Sequence, residues 1–160
     1  MQINWTDGLV IFGMRGMGKT YLSVKIAKEL AKTGGYGLLI DPTGAYEQYP
    51  ELLRYKNLGI FEVDILEENK INKILSFAFS HKAFVIIDEA SEFPFSKYGL
   101  LRDLVMRARN WGCGYLAISR ASAELHKAYI NNSTYTFIFY LKENNALKYL
   151  EQNLDVRREE

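Results

Sequence analysis

The sequence predicts an α/β fold in three layers, a mostly parallel central sheet with helices on both faces. Three observations carry this expectation. Short unbroken apolar runs alternate with segments whose apolar residues recur at helical spacing, the pattern that gives parallel strands joined by right-handed crossovers. The runs are apolar at every position rather than at alternate ones, as strands buried on both faces require. With 160 residues, 48% of them apolar, the chain is large enough to bury a core as one domain over residues 1–160, without disulfides or metals.

Taken in order, 1–7 reads as a lead-in whose Trp5 covers an edge, and Leu9 to Phe12 as the first strand. A helix follows over 21–33, with Leu22, Ile26, Ala27 and Leu30 on one side, and Gly34 and Gly35 stop it. Gly37 to Ile40 is a second strand ending at Asp41, and Pro42, Thr43 and Gly44 make a turn. Strand 60–63 leads to Asp64; helix 67–79 carries Ile71, Ile74, Leu75 and Ala78; strand 84–87 ends in Asp88 and Glu89. A helix over 99–111 with Leu100, Leu101, Leu104, Val105 and Ala108 inward precedes strand 115–119, then strand 135–141, a closing helix over 144–154 and a frayed end at 157–160.

Between the first strand and the first helix stands Gly13-Met14-Arg15-Gly16-Met17-Gly18-Lys19-Thr20, which fits GxxxxGK[ST] without departure. A loop wrapped round a triphosphate needs inward-pointing N–H groups, which the glycines permit by close approach, and the helix that follows adds partial positive charge. Lys19 is placed to reach the β- and γ-phosphates, the Thr20 hydroxyl to ligate Mg²⁺, and residues 13–21, Tyr21 included, to form the nucleotide-binding stretch.

The run FVIIDE, 84–89, sets two carboxylates at a strand's C-terminal end, the edge where ligands of open α/β sheets sit. Asp88 is the expected second metal partner, through the ion's waters. Glu89 is expected to orient the attacking water. A GTPase would carry a base-reading NKxD segment and a small-molecule kinase an arginine-rich lid; the sequence has neither, so hydrolysis coupled to movement is the better reading.

Three arginines are candidates for contact with the terminal phosphate. Arg109 has no obvious partner in sequence and sits where a helix turns into a strand, so it is the first candidate for an arginine reaching a neighbouring subunit's γ-phosphate. Arg107 is the second, although Asp103 four residues earlier is spaced to pair with it. Arg120 follows strand 115–119; if that strand lies between the loop strand and the carboxylate strand, Arg120 faces the γ-phosphate of its own subunit.

The remaining features read as structural. Formal net charge is +1, with 20 basic and 19 acidic residues, so no global field announces nucleic acid and none excludes a local patch. Lys25, Lys28 and Lys32 form a solvated helix face with Lys25 paired to Glu29, and Tyr46, Tyr49, Tyr55 and Lys56 a packed loop. His81 and His126 read as surface or capping groups, Cys113 as core, and the aromatics of 135–140 as strand core. No basic leader with an apolar core and no apolar run near twenty residues stands in the sequence, so the expectation is a soluble, cytoplasmic protein with no integral membrane segment.

From Leu9 to about Leu150 the chain resembles the FtsK/HerA superfamily of P-loop ATPases. The resemblance rests on GMRGMGKT, LLIDPTGAYE, FVIIDEA and RARNWGCGYLAISR. It implies a RecA/ASCE-like P-loop NTPase fold, ATP and Mg²⁺ as cofactors, a homo-oligomeric ring, and double-stranded DNA in its channel. Without an added barrel or membrane domain, the stand-alone viral genome-packaging type is the closest fit, which places the protein in host cytoplasm or virion. Two positions depart from the family: Arg120 stands where glutamine is usual, and Ala45 where an acidic residue is common, with Glu47 out of register. Two other readings stay open, a nucleotide-dependent switch acting on a partner protein and a morphogenesis ATPase working with a capsid or membrane protein.

Overall fold

The computed structural model describes residues 2–141 together with Lys148 and Gln152; the closing helix expected over 144–154 and the end at 157–160 lie outside the described residues apart from those two. Among the described residues six strands form one sheet: β1 (Gly8–Phe12), β2 (Gly37–Asp41), β3 (Leu58–Glu62), β4 (Phe84–Ile87), β5 (Gly114–Ser119) and β6 (Tyr135–Ile138). Their spatial order is β3-β2-β4-β5-β1-β6, and every neighbouring pair is parallel. The fold is therefore the three-layer α/β architecture expected, with β5 inserted between β1 and β4.

Strand periodicity explains the layers. Leu9, Ile11, Leu39, Ile86, Leu116 and Ile118 point to one face, where α1 (Lys19–Lys32) covers them with Val24, Ala27 and Leu30. Val10, Phe12, Ile40, Val85, Ile87 and Ala117 point to the other, beneath α2 (Glu68–His81), α3 (Gly99–Arg107) and α4 (Lys127–Asn131). Both faces of the four central strands are buried, whereas β3 and β6 at the edges are only half-buried. Trp5 lies edge-on to Phe84 and closes the N-terminal end of the sheet, as the lead-in predicts.

Several boundaries differ from the sequence expectation. The segment 99–111 is not one helix: α3 ends at Arg107, and 108–111 tighten into a 3₁₀ turn that Gly112, at φ 74°, reverses into β5. Short 3₁₀ turns at Pro50–Arg54 and Ala90–Glu92 and the helix α4 are additions that no apolar periodicity announces. Glu29 pairs with Lys32 at 2.6 Å rather than with Lys25, which sits 4.9 Å from the Tyr21 ring. No ion pair joins Asp103 to Arg107 among the described residues, whereas Lys28 meets Glu51 at 3.8 Å. Cys113 is buried, and Tyr46 is packed with its hydroxyl 2.7 Å from Ser23 Oγ. His126 caps α4 by accepting the Ala128 N–H, and His81 stacks on Phe77.

A candidate nucleotide-binding site

All strands run the same way, so the loops after β1, β2, β4 and β5 emerge along one edge of the sheet. There they enclose a cleft of about 560 Å³ lined by Arg15, Gly16, Gly18, Lys19, Thr20 and Tyr21 from the glycine-rich loop, Thr43, Ala45, Gln48 and Tyr49 from the segment after β2, and Asp88, Glu89 and Arg120. The strand order brings residues 19, 88, 89 and 120 together although a hundred positions separate the first from the last.

The loop owes its shape to its glycines. Gly16 and Gly18 lie at φ 80° and 90°, a region where side chains are strained, and a Cβ on Gly13 would stand 2.5 Å from that of Phe139. Phe139, held by its N–H to the Phe12 carbonyl, is the floor on which the loop rests. Met14 donates to the Tyr140 carbonyl at 3.2 Å and accepts the Lys19 ammonium at 2.9 Å. Met17 is half-exposed and outside the cleft lining. Lys19 is 8% exposed, and burial holds its ammonium below the ordinary value against the opposing pull of Glu89 and Asp88.

Asp88 extends the β4 ladder, its N–H donating to the Ile40 carbonyl at 3.0 Å, and its side chain is 5% exposed. Its Oδ1 accepts the Glu89 N–H at 2.9 Å. Burial pushes the carboxyl up from 3.8 to about 6, with the Glu89 and Asp41 carboxylates adding to the rise and the Glu89 N–H and Lys19 opposing it. A buried carboxylate so disfavoured gains most from a cation beside it, and the Thr20 hydroxyl lines the same cleft. The donor set thus fits Mg²⁺, which is commonly held by one or two protein oxygens together with phosphate. No cluster of three His, Cys, Asp or Glu suited to a metal exists among the described residues.

Glu89 occupies the left-handed region at φ 45° and ψ 46°, unusual for a side-chain-bearing residue. Arg120 Nε donates to its Oε1 at 2.9 Å. Behind this pair, the Ser119 hydroxyl at the end of β5 donates to the Ala121 carbonyl at 3.0 Å, and its oxygen lies 3.2 Å from Ser91 Oγ.

Arg107 and Arg109 stand elsewhere. Arg109 donates to Thr134 Oγ1 at 3.1 Å and lies 3.9 Å from Asp7 Oδ1, so it does have partners, residues just before β6 and β1. That is the opposite edge of the sheet from the loop, a strand length of roughly 17 Å away. Arg107 and Arg109 there line a second cleft of about 450 Å³ with Asn110 and Asn132. Neither reaches the nucleotide cleft of its own chain.

Thr43, Gln48 and Tyr49 also line the cleft, and none of them belongs to a nucleotide-binding motif in the sequence. Asp41, 2% exposed, accepts the Thr43 N–H and hydroxyl and the Tyr46 N–H, and so folds this segment over the cleft. The signal was present in the turn after Asp41, since an aspartate there can cap its own following backbone. Ala45 lines the cleft, whereas Glu47 does not.

A model of the helicase HerA central domain matches residues 6–153. The chain belongs to this family. Among solved structures, this HerA-type domain superposes with a TM-score of 0.78 on the genome packaging NTPase B204 from Sulfolobus turreted icosahedral virus 2 in complex with ATP-gammaS, at 17% identity over 95% of this chain and 83% of that one. B204 from Sulfolobus turreted icosahedral virus, described as a DNA-packaging ATPase, gives 0.77 at 20% identity over 95% and 84%. The pCW3 conjugation coupling protein TcpA, with ATPgS, gives 0.70 at 16% identity over 96% of this chain and 54% of that one. At these identities the likeness is one of fold. No curated protein sequence matches the chain. Among the described residues, no helix is long and apolar enough to cross a membrane.

Proposed function

We propose that this HerA-type ATPase domain hydrolyses ATP with Mg²⁺ and that a homo-oligomeric ring of it couples hydrolysis to movement of double-stranded DNA, genome packaging being the form of that work its likeness to B204 favours. The observation that carries the reading is the convergence of Lys19, Asp88, Glu89 and Arg120 on one cleft beside the glycine-rich loop. Residues 13–21 hold the phosphates by backbone N–H groups and the Lys19 ammonium, and the positive end of α1 adds to the attraction. Thr20 and Asp88 hold Mg²⁺, which when bound neutralises charge on the phosphate oxygens. Glu89 accepts a proton from the attacking water while orienting it, and Arg120 faces the γ-phosphate from its own subunit.

Arg109, with Arg107 beside it, serves a neighbouring subunit's site, because its position at the far edge removes it from its own. Its side chain is 69% exposed, so its ties to Asp7 and Thr134 are open to exchange. Work of this kind places the protein in cytoplasm or virion. The test is the ATPase rate against protein concentration, with and without duplex DNA. A specific rate that rises with both supports the motor, and a rate indifferent to dilution and to DNA contradicts it.

The Arg120–Glu89 ion pair favours one second reading, a switch that binds a partner protein, such as a capsid or membrane protein, when ATP is bound and turns over slowly. Negligible steady-state turnover with ATP-dependent partner binding selects it over the motor.

A further inference from the structure

The residue proposed to aim the water is already engaged. Glu89 Oε1 accepts Arg120 Nε at 2.9 Å, and its backbone is held in the left-handed region. The carboxylate is largely covered, 15% exposed, whereas the guanidinium is 54% exposed and lines the open cleft that holds Lys19 and the loop. Both contacts of this region come from the end of β5: Ser119 reaches Ser91 two residues after Glu89, and Arg120 reaches Glu89 itself. One strand end therefore fixes where the hydrolytic carboxylate stands.

A guanidinium binds phosphate oxygens with the same fork geometry as a carboxylate, and a triphosphate seated on the glycine-rich loop brings such oxygens into the cleft that Arg120 lines. We propose that Arg120 is a latch on Glu89: it holds the carboxylate when no γ-phosphate is present and exchanges it for the γ-phosphate of a bound nucleoside triphosphate, freeing Glu89 to orient water. Arg120 is thus a positioning residue for Glu89, and it makes the site discriminate triphosphate from diphosphate. A glutamine at this position could contact the phosphate but would carry no charge to restrain Glu89, so the latch is a property of this chain's arginine. The inference rests on the nucleotide reading above.

A binding cycle tests it with no reliance on turnover. Affinities of wild type, E89Q, R120A and the double variant are measured for ATPγS and for ADP, with R120K as a charge-retaining control and circular dichroism as a check on folding. Breaking the latch is part of the cost of binding a triphosphate, so E89Q tightens ATPγS by about threefold to fivefold, the worth of an ion pair with one solvent-exposed partner, and leaves ADP within about twofold. In the R120A background the E89Q gain shrinks, and in R120K it returns. If Arg120 instead stays on Glu89 and merely neutralises it, removing the arginine leaves the carboxylate bare beside the phosphates, and the E89Q gain in R120A is equal or larger; that result overturns the latch. Equal tightening of ATPγS and ADP overturns it as well. Failure of the wild type to bind ATPγS at all removes the nucleotide reading and the latch together, whereas a cycle of the wrong sign with binding intact removes the latch alone.

Discussion

Asp88→Asn should stabilise the protein in the absence of nucleotide. Burial holds the Asp88 carboxyl at about 6 against an ordinary 3.8, so at pH 7 the folded state carries an ionised group that it disfavours. That difference corresponds to about 3 kcal/mol of stability forgone at neutral pH. The sign follows from a folded value raised above the unfolded one: the contribution is fully present below the unfolded value and is lost as pH rises through about 6. Asparagine is neutral throughout, is close in shape, and retains an oxygen for the Glu89 N–H. Urea unfolding at pH 7 without nucleotide or Mg²⁺ should therefore show D88N more stable by about 1–3 kcal/mol, which corresponds to a rise in Tm of about 2–12 °C for a domain of this size. At pH 4.5 the advantage should fall to about 1 kcal/mol or less, because most of the wild-type carboxyl is protonated in the folded state. A D88N variant equal to or less stable than wild type at pH 7 would refute the claim that Asp88 is held ionised at a cost.

Two further outcomes follow from the site. Lys19→Ala should weaken ATPγS binding by about 10- to 100-fold, the worth of a charge-assisted contact to phosphate, measured by titration calorimetry; unchanged affinity would count against the phosphate cradle. R109A and E89Q should each be defective alone yet recover activity on mixing, since about one quarter of interfaces in randomly mixed rings join an intact Glu89 to an intact Arg109. No recovery would leave Arg109 with its local role, tying the chain before β1 to that before β6.

The sequence was most informative where local chemistry determines structure. The loop from Gly13 to Thr20 and the carboxylates after Phe84–Ile87 could be placed because an apolar strand, a glycine pattern and a helix are contiguous in the chain. Helix 99–111 looked continuous because its apolar spacing persists to Ala108; its break depends on the Cys113 N–H returning to the Ala108 carbonyl, a turn that apolar spacing does not encode. Arg109 looked unpartnered because Asp7 and Thr134 lie at remote positions, adjacent only once β5, β1 and β6 pair. Arg120 meets Glu89 for the same reason: 31 residues separate them, and only the β4–β5 neighbourhood makes them touch. Glu29 had two lysines within reach, and helical spacing alone could not choose Lys32 over Lys25.

The most direct test of the account is ATP turnover by Glu89→Gln, measured beside its ATPγS affinity. Binding should be at least as tight as in wild type and hydrolysis slowed by about 100-fold or more, the usual consequence of losing a general base. Turnover within about twofold of wild type, with binding intact, would contradict it and move the orientation of water to another residue.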